Sequence, residues 1–400
     1  MVESRSATTL ERELAAAGQG AARVAFELAS RQDRQDWRGV DPYDGLRSPL
    51  ARVLAGRRPR QAFVQAVRRS PVNLRPMLGI GPCQMVAATG LAATAASRMT
   101  GEEPWWGELR DRLGSLTAAR QFPGGPGRGL WGYEFDVQTR WGFYGSRTPN
   151  AIATVVAARG CLDAGRLTGP QQTTLGGALL RCFWRGTYFA YTPASTVLIH
   201  NANLLVASLA ARLAGSDQLE RQLREALRRA ARGAVETALA AQRPDGSWPY
   251  GEGRSLDWVD GYHTAYSLLA LDQSLALLDG EASRTALDRG ARFYFAELFD
   301  GPVPRYLAGS NAGPSDINNV ATGLRAAVWG AERGHVVSTF PGRVLEVLRD
   351  GFWDAGRQHM RASAAGHRPT ARLDYPRWGA APALDALTAL AAWERGRRSP

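Results

Sequence analysis

The sequence contains no lysine, so all 49 of its basic residues are arginine. Its three cysteines, Cys83, Cys161 and Cys182, form no CxxC pair, which indicates reduced thiols packed as small hydrophobes. No apolar run approaches the roughly 20 residues that a membrane-spanning helix needs. We therefore expect a protein with neither a disulfide framework nor a membrane span.

Common catalytic and cofactor motifs are also missing. No HExxH, no histidine pair at i and i+4 and no GxSxG occurs. The glycine-rich run 124–127 is not followed by GK[ST], so it is interpreted as a linker and not as a phosphate cradle. We expect no metal and no cofactor.

The formal net charge is +12, which raises the question of a nucleic-acid partner. The arginines occur over many segments, often beside acids as in 219–222, and no basic and aromatic module of a nucleic-acid fold appears. We expect a diffuse positive surface and no nucleic-acid partner.

Residues 1–31 mix charged residues with alanines and lack the basic region and apolar run of a secretory signal, so a cytoplasmic protein is expected. The length suits one closed repeat architecture, and no domain boundary is visible. We expect a single domain over 1–400, with 1–35 as a candidate extra helix packed outside.

The organisation of the chain comes from two alternating kinds of helical segment. Six apolar segments rich in Ala and Gly begin at intervals of 51 to 67 residues, near Pro82, Pro149, His200, Asp257, Ser315 and Pro376. Six amphipathic segments with charged faces alternate with them, at 46–68, 104–121, 169–184, 217–242, 280–299 and 340–360. Helices that are apolar all round are packed on every side, whereas a charged face at the 3.6 period faces solvent. The pattern predicts an all-α (α/α)6 barrel, or toroid, of six inner and six outer helices, with a short extended piece at 181–192.

Polar and aromatic residues collect just before the apolar helices or in their first turns. All inner N-termini of a toroid point to one end, which we call the mouth. The helix dipoles and unsatisfied N–H groups there favour an anionic or many-hydroxyl ligand. We expect the functional site in the mouth, with a small molecule or glycan as the substrate.

The best candidate for chemistry is the segment with Asp260 and His263. On a helix this spacing puts both side chains on one face, where the carboxylate fixes the imidazole tautomer and supports its use as a general base near neutral pH. The alternative is a capping Asp and a buried structural His. Other candidate catalytic residues are His200, Asp136 and Asp44.

Candidate substrate-binding residues are the remaining polar and aromatic residues of the mouth: Arg140, Asn150, Tyr191, Asn201, Asn203, Trp248, Glu252, Asp257, Trp258, Tyr262, Asn318, Arg377 and Trp378. Three of them, Asn150, Asn203 and Asp257, have an alternative role as helix N-caps, worth roughly 1 kcal/mol each. The tryptophans have an alternative role in packing the repeat junctions.

Two resemblances follow from these motifs. The run 242–251 (QRPDGSWPYG) resembles the structural QW-type turn of the squalene–hopene cyclase and prenyltransferase toroids. The longer set DPYDGL, SPxNLRP, WGYxFxxQxR, TPN, YTP, HNANLL, DGSWxYGE and WxDxxHTxY resembles a family of bacterial toroid proteins from surface-polysaccharide biosynthesis clusters. That resemblance covers about 41–266 and implies an (α/α)6 fold and a sugar-related role.

Two further comparisons bear on the chemistry. Class II terpene cyclases use a DxDD acid, whereas the segments at 257–260 and 41–44 read DxxD. The run 200–203 (HNAN) is loosely similar to the Asn-rich helix start of N-acylglucosamine 2-epimerase toroids.

Three hypotheses of function remain open. The first is an enzyme that acts on a sugar by epimerisation, elimination or hydrolysis in polysaccharide or glycoconjugate biosynthesis. There Asp260, His263 and His200 supply acid and base, or Asp136 and Asp260 act as paired carboxylates. The second is a terpene-cyclase-like toroid, which needs an aromatic-lined apolar cavity. The third is a non-catalytic glycan-binding or scaffold protein.

Overall fold

The computed structural model describes residues 7–139, 142–146, 148–278, 281–310, 316–362 and 373–398. The helices are α1 (Ala7–Arg34), α2 (Arg57–Arg69), α3 (Val86–Ser97), α4 (Pro104–Ala118), α5 (Ala151–Asp163), α6 (Gly169–Cys182), α7 (His200–Ala214), α8 (Arg221–Ala240), α9 (Gly261–Leu278), α10 (Glu281–Glu297), α11 (Ile317–Glu332), α12 (Phe340–Phe352) and α13 (Ala381–Arg398). Short 3₁₀ turns lie at Asp44–Arg47, Pro49–Val53 and Arg254–Leu256, and a π-helical turn at Pro376–Ala380 precedes α13.

Strands contribute little to this fold. Four antiparallel sheets of two short strands each are described: β1 (Arg38–Gly39) with β2 (Cys83–Gln84), β3 (Val137–Gln138) with β4 (Phe143–Tyr144), β5 (Phe299–Asp300) with β6 (Val303–Pro304), and β7 (Trp353–Asp354) with β8 (His359–Met360). Within 181–192, Trp184 and Phe189 form an isolated antiparallel bridge, as expected for a short extended piece.

The inner ring consists of α3, α5, α7, α9, α11 and α13. Each of these helices packs against the next, and α13 packs back on α3, so the ring closes. The inner helices are buried on nearly all sides; in α7 every residue except Arg212 is buried. The predicted all-helical (α/α)6 toroid is confirmed.

Small residues set the spacing of the ring where α3 meets α5. A Cβ atom on Gly160 would lie 2.1 Å from the carbonyl oxygen of Gly90, and one on Gly90 would lie 2.7 Å from the Cα of Ala157. Backbone therefore touches backbone, which explains why these helices are so rich in Gly and Ala.

The outer positions around the ring are taken by α4, α6, α8, α10, α12 and α1, among the described residues. Of these, α1 packs along α13 and touches α12. Helix α1, expected as an extra helix, thus takes the outer position that was expected for 46–68. The segment at 57–69 is α2, which instead packs on the turn at Asp44–Arg47 and on β3.

No helix in the described ranges is both long and apolar enough to cross a bilayer.

Candidate functional site

The mouth is assembled by the segments that precede the inner helices. Arg377, just before α13, forms two hydrogen bonds to the carboxylate of Asp41, at 2.7 and 2.8 Å. The Arg377 guanidinium also lies 5.3 Å from the ring centre of Tyr133. The Tyr133 hydroxyl is 3.1 Å from that of Tyr191, which precedes α7. These contacts bring residues from distant parts of the sequence to one end of the ring.

At the start of α9, Asp260 and His263 form a closely hydrogen-bonded pair. One carboxylate oxygen of Asp260 lies 2.6 Å from Nδ1 of His263 and accepts a 2.9 Å hydrogen bond from Nε1 of Trp258. The other accepts a 2.9 Å bond from the backbone N–H of His263. The pair expected from the spacing is therefore formed, and Asp260 also caps the first turn of α9.

The protonation state of this pair follows from its contacts. Burial raises the pKa of Asp260, but the adjacent His263 and the hydrogen bonds from His263 and Trp258 outweigh it, so the pKa is lowered. Asp260 is therefore a carboxylate at neutral pH. A carboxylate only accepts, so Nδ1 of His263 carries the hydrogen and Nε2 is the atom able to take up a proton.

Aromatic rings surround His263. The ring of Tyr262 lies 4.1 Å from the imidazole and that of Tyr250 lies 4.5 Å from it, centre to centre. Tyr250 stacks on Trp258 at 4.6 Å, and Tyr262 makes an edge contact with Trp378 at 6.3 Å. Burial raises the pKa of both tyrosines, so both keep their phenolic hydrogens.

A cavity of about 10 Å³ adjoins the pair, with Asn201, Tyr250 and Ser267 among its lining residues. This volume holds about one water molecule, far below the roughly 300 Å³ or more of typical ligand pockets. This cavity is therefore too small for a ligand of sugar size.

His200 is buried at the start of α7, with 1% of its surface exposed. Neither ring nitrogen has a hydrogen-bond partner among the described residues. Burial, with a smaller contribution from Arg243, lowers the pKa of His200 to about 4. The imidazole is therefore neutral and covered, which does not fit its expected role as a proton carrier that meets the substrate.

The side-chain amides at the starts of α5 and α7 differ in their hydrogen bonds. The side chain of Asn203 is fully engaged, since it accepts from the backbone of Phe189 and donates to that of Ala234, both at 2.9 Å. Asn150 caps α5 by accepting from the Ala153 N–H at 3.1 Å. Asn201 keeps a buried side-chain oxygen without a partner in the described structure. Of the three, Asn203 has a structural role, because its side chain links the backbone of Phe189 to that of α8.

Two of the expected catalytic carboxylates hold loops in place. Asp44 is completely buried and pairs with Nε of Arg75 at 2.9 Å, while Arg75 also donates to the Asp41 carbonyl at 2.6 Å. Burial nevertheless raises the pKa of Asp44. Asp136 accepts a 2.8 Å bond from the Ser146 N–H and so closes the β3–β4 hairpin. Asp44 cannot reach a ligand in the mouth.

Three expected substrate-binding residues lie in the segment 242–258, where they are either part of the fold or exposed to solvent. Trp248 is 2% exposed, and its Nε1 donates to the Ala238 carbonyl at 2.8 Å, so it anchors the turn between α8 and the next inner helix. Glu252 is exposed. Asp257 is 66% exposed and pairs with Arg243. The expected substrate contacts of these residues are not supported by their positions.

The remaining expected residues lie around the mouth, with one exception. Asn318, in the first turn of α11, lies 3.4 Å from the Tyr266 hydroxyl through its side-chain oxygen. Trp378 contacts Tyr43 edge-on at 5.6 Å. Arg140 lies outside the described residues.

Glu134 belongs to the mouth but was not chosen from the sequence. Its side chain accepts a 2.6 Å hydrogen bond from the backbone N–H of Val86, at the start of α3. Burial raises its pKa to about 7. Glu134 lies within the motif WGYxFxxQxR, but nothing local in that motif shows that the carboxyl meets the start of another helix.

Six tyrosines that were not among the expected site residues also contact residues of the mouth: Tyr43, Tyr133, Tyr144, Tyr250, Tyr266 and Tyr306. Among the described residues no group of three or more His, Cys, Asp or Glu side chains is placed to hold a metal ion.

Comparisons with known proteins identify the fold. No family model matches the chain, and no curated protein matches it. Solved structures do, and the similar ones are toroids. Cellobiose 2-epimerase from Bacillus thermoamylovorans superposes with a TM-score of 0.60 at 11% identity, over 78% of this chain and 88% of that one. An unsaturated glucuronyl hydrolase from a Bacillus species gives 0.58 at 12% identity, over 95% and 97%.

A type II terpene cyclase from Scytonema gives a TM-score of 0.55 at 11% identity, over 97% of this chain and 99% of that one. At such identities the likeness shows the fold alone. The (α/α)6 toroid of this chain is thus shared with epimerases, glycan hydrolases and terpene cyclases.

Proposed function

We propose that the protein is an enzyme that moves a proton on a sugar or glycan-linked substrate, with His263 as the base and Asp260 as the group that orients it. The observation that carries this proposal is the 2.6 Å contact between the two side chains at the start of α9. Asp260 is ionised and both of its oxygens accept hydrogen bonds, so it holds the tautomer of His263 and balances the charge of the imidazolium.

The proton transfer can be written in full. Nε2 of His263 accepts the hydrogen from the carbon next to a sugar carbonyl, and the electron pair of the C–H bond moves into an enediolate. The phenols of Tyr250 and Tyr262 retain their hydrogens, so they can donate to the enediolate oxygen. Return of a proton to the opposite face gives the epimer, whereas loss of a neighbouring substituent gives an elimination product.

Hydrolysis by paired carboxylates fits the geometry less well. A carboxylate nucleophile or acid needs a free oxygen, but Asp260 accepts three hydrogen bonds from Trp258 and His263. Asp136 is tied to the backbone of its own hairpin. We therefore favour epimerisation or elimination.

A second proton carrier is needed for epimerisation, and Glu134 fits that role better than His200. Helices α3 and α9 stand opposite each other in the six-membered ring. The Glu134 carboxyl binds the first N–H of α3, and His263 lies in the first turn of α9, so the two side chains meet opposite helices. A carboxyl with a pKa of about 7 gives and takes a proton near neutral pH. His200 lacks an exposed nitrogen.

The substrate class is supported by the walls of the mouth and by the similar proteins. Trp258, Tyr262 and Trp378 offer ring faces of the kind on which sugars stack. By their names, two of the similar structures are an epimerase of cellobiose and a hydrolase of unsaturated glucuronyl groups. The resemblance of the sequence motifs supports a place in polysaccharide or glycoconjugate biosynthesis, and we propose a cytoplasmic location for this role.

A terpene-cyclase-like reaction is the second candidate, because the mouth is lined by many aromatic rings and a solved type II terpene cyclase shares the fold. Protonation of an alkene needs a carboxylic acid that carries its hydrogen. The lowered pKa of Asp260 argues against that role.

The test is solvent exchange followed by NMR. The protein is incubated in D2O with a panel of reducing disaccharides and uronate-containing oligosaccharides, and the proton signal next to the carbonyl is followed. The wild type should exchange that proton, and His263→Ala should exchange it about 100-fold more slowly or worse. His335→Ala, at the far end of α11, is the control and should stay within about twofold of the wild type.

Each result has a clear meaning. Equal exchange by His263→Ala and the wild type removes His263 from the chemistry. Binding of an oligosaccharide without exchange or product identifies a non-catalytic glycan-binding protein. Turnover of a polyprenyl diphosphate instead of any sugar identifies the terpene reaction.

A further inference from the structure

Positive charge is concentrated in one part of the chain. Between Asp44 and Glu102 the sequence has no acidic residue, and the stretch 45–82 carries eight arginines: Arg47, Arg52, Arg57, Arg58, Arg60, Arg68, Arg69 and Arg75. The net charge of this stretch comes from these eight arginines alone, whereas the whole chain has a net charge of +12. Positive charge is therefore less evenly spread along the sequence than expected.

Four of these eight arginines face solvent. Helix α2 buries Val64 and Val67 against the turn at Asp44–Arg47. Its opposite face is exposed and consists of Arg58, Ala62, Ala66 and Arg69. Arg52 and Arg57 are exposed as well. None of the four exposed arginines pairs with a carboxylate in the described part of the chain.

Large apolar side chains project among these arginines. Val53 and Met77 are 83% and 85% exposed, and Leu50 and Val72 are also exposed. The exposed ring of Phe143, on the hairpin that α2 touches, lies 4.8 Å from the guanidinium of Arg60. We call residues 45–82 together with Phe143 the basic patch.

The basic patch adjoins the mouth. Arg68 of α2 donates to the Tyr43 hydroxyl at 3.0 Å, and Tyr43 makes the edge contact with Trp378. Arg75, at the other end of the patch, pairs with buried Asp44. A surface that binds the basic patch therefore lies beside the entrance of the ring.

We infer that the basic patch docks the protein on a bilayer that contains anionic lipids. Arginines without acidic partners are attracted to anionic headgroups, and aliphatic side chains among them insert into the interface. A nucleic acid would use the arginines but would gain nothing from Val53 and Met77. This inference does not depend on the proposed reaction, and it places the mouth at the lipid surface.

Vesicle sedimentation tests the inference. The probes are vesicles of phosphatidylcholine alone and of phosphatidylcholine with about one third phosphatidylglycerol, at physiological salt, a range where the attraction is only partly screened. The wild type should sediment with the anionic vesicles and stay in solution with the neutral ones. Arg57→Gln/Arg58→Gln/Arg69→Gln should lower the partition coefficient by about 100-fold, since each arginine near the surface contributes about fivefold.

Matched controls separate the patch from net charge. Arg181→Gln/Arg228→Gln/Arg229→Gln removes the same charge from exposed positions on α6 and α8 and should leave binding within about twofold. Val53→Ser/Met77→Ser should weaken binding about tenfold, whereas Val337→Ser, 68% exposed after α11, should not. Circular dichroism checks that each variant is folded.

Three results would overturn the inference. One is a wild type that stays in solution with anionic vesicles. Another is an equal loss of binding in the control triple variant. The third is tight binding to duplex DNA, lost in the patch triple variant but kept by Val53→Ser/Met77→Ser, with no vesicle binding.

Discussion

The buried imidazole of His200 should make the fold sensitive to acid. Its ring is 1% exposed, and neither nitrogen has a partner among the described residues. Burial disfavours the cation, and Arg243 adds repulsion, so the pKa falls from 6.5 to about 4. The unfolded chain therefore binds a proton on His200 more readily than the folded protein does.

The sign and size of the effect follow from this difference. Above about pH 6.5 His200 is neutral in both the folded and the unfolded chain and does not change the free energy of unfolding. As the pH falls from there toward the folded pKa of about 4, that free energy decreases. One pKa unit corresponds to about 1.4 kcal/mol, so His200 should cost about 2–3 kcal/mol of unfolding free energy by pH 4.5.

The assay is urea unfolding of the wild type and His200→Phe between pH 7.5 and 4.5. Phenylalanine keeps the ring shape and cannot be protonated, so the stability of the variant relative to the wild type should grow by about 2–3 kcal/mol over this range. At pH 7.5 the variant should be as stable as the wild type or more so, because it lacks the two unpartnered nitrogens. A stability difference that does not change with pH would show that the folded His200 binds its proton normally, and the reasoning would fail.

Two further predictions concern the same fold. Glu134 has a folded pKa raised to about 7, so its stabilising contribution is complete below about pH 4.5 and is lost as the pH rises through 7. The unfolding free energy of Glu134→Gln relative to the wild type should therefore increase by about 3 kcal/mol from pH 4.5 to 8, as measured by urea unfolding. If this difference did not change with pH, the carboxyl would be well solvated in the folded protein. Gly160→Ala should destabilise the fold by about 1–3 kcal/mol because its Cβ would collide with the backbone of α3, and the loss should appear as a lower thermal midpoint. Its control is Gly107→Ala in α4, where a Cβ meets nothing within 4 Å and should be neutral or stabilising; equal midpoints for the two variants would refute the tight contact.

The inner ring was predictable because burial on every side leaves a direct trace in composition. Helices such as α7, in which every residue but Arg212 is buried, have no charged stripe to confuse the assignment. The outer helices were harder. Both α1 and α2 are amphipathic, and a 3.6 period shows that one face is buried but not what it is buried against. The sequence therefore could not say that α1 covers α13 while α2 lies beside the mouth.

The site was predicted where the partners are neighbours in sequence and missed where they are not. Asp260 and His263 are three residues apart, so their contact follows from helix geometry. Asn203 and Trp248 bind backbone carbonyls of α8, which no local pattern reveals. Glu134 meets the N–H of Val86, 48 residues away. Polar residues at helix starts serve equally as caps and as ligand contacts, so sequence alone could not separate the two.

The fold does not decide between sugar and terpene chemistry, because similar solved structures of both kinds share it. The aromatic walls do not decide either, since ring faces suit both sugar rings and carbocations. The protonation state of Asp260 bears on this choice of chemistry. Trp258 and His263 direct three donors at Asp260, and each donor favours the ionised form over the acid. With Asp260 ionised, we propose His263 as the base, because a base beside a mouth of helix N-termini suits the removal of a proton next to a carbonyl and not the protonation of an alkene.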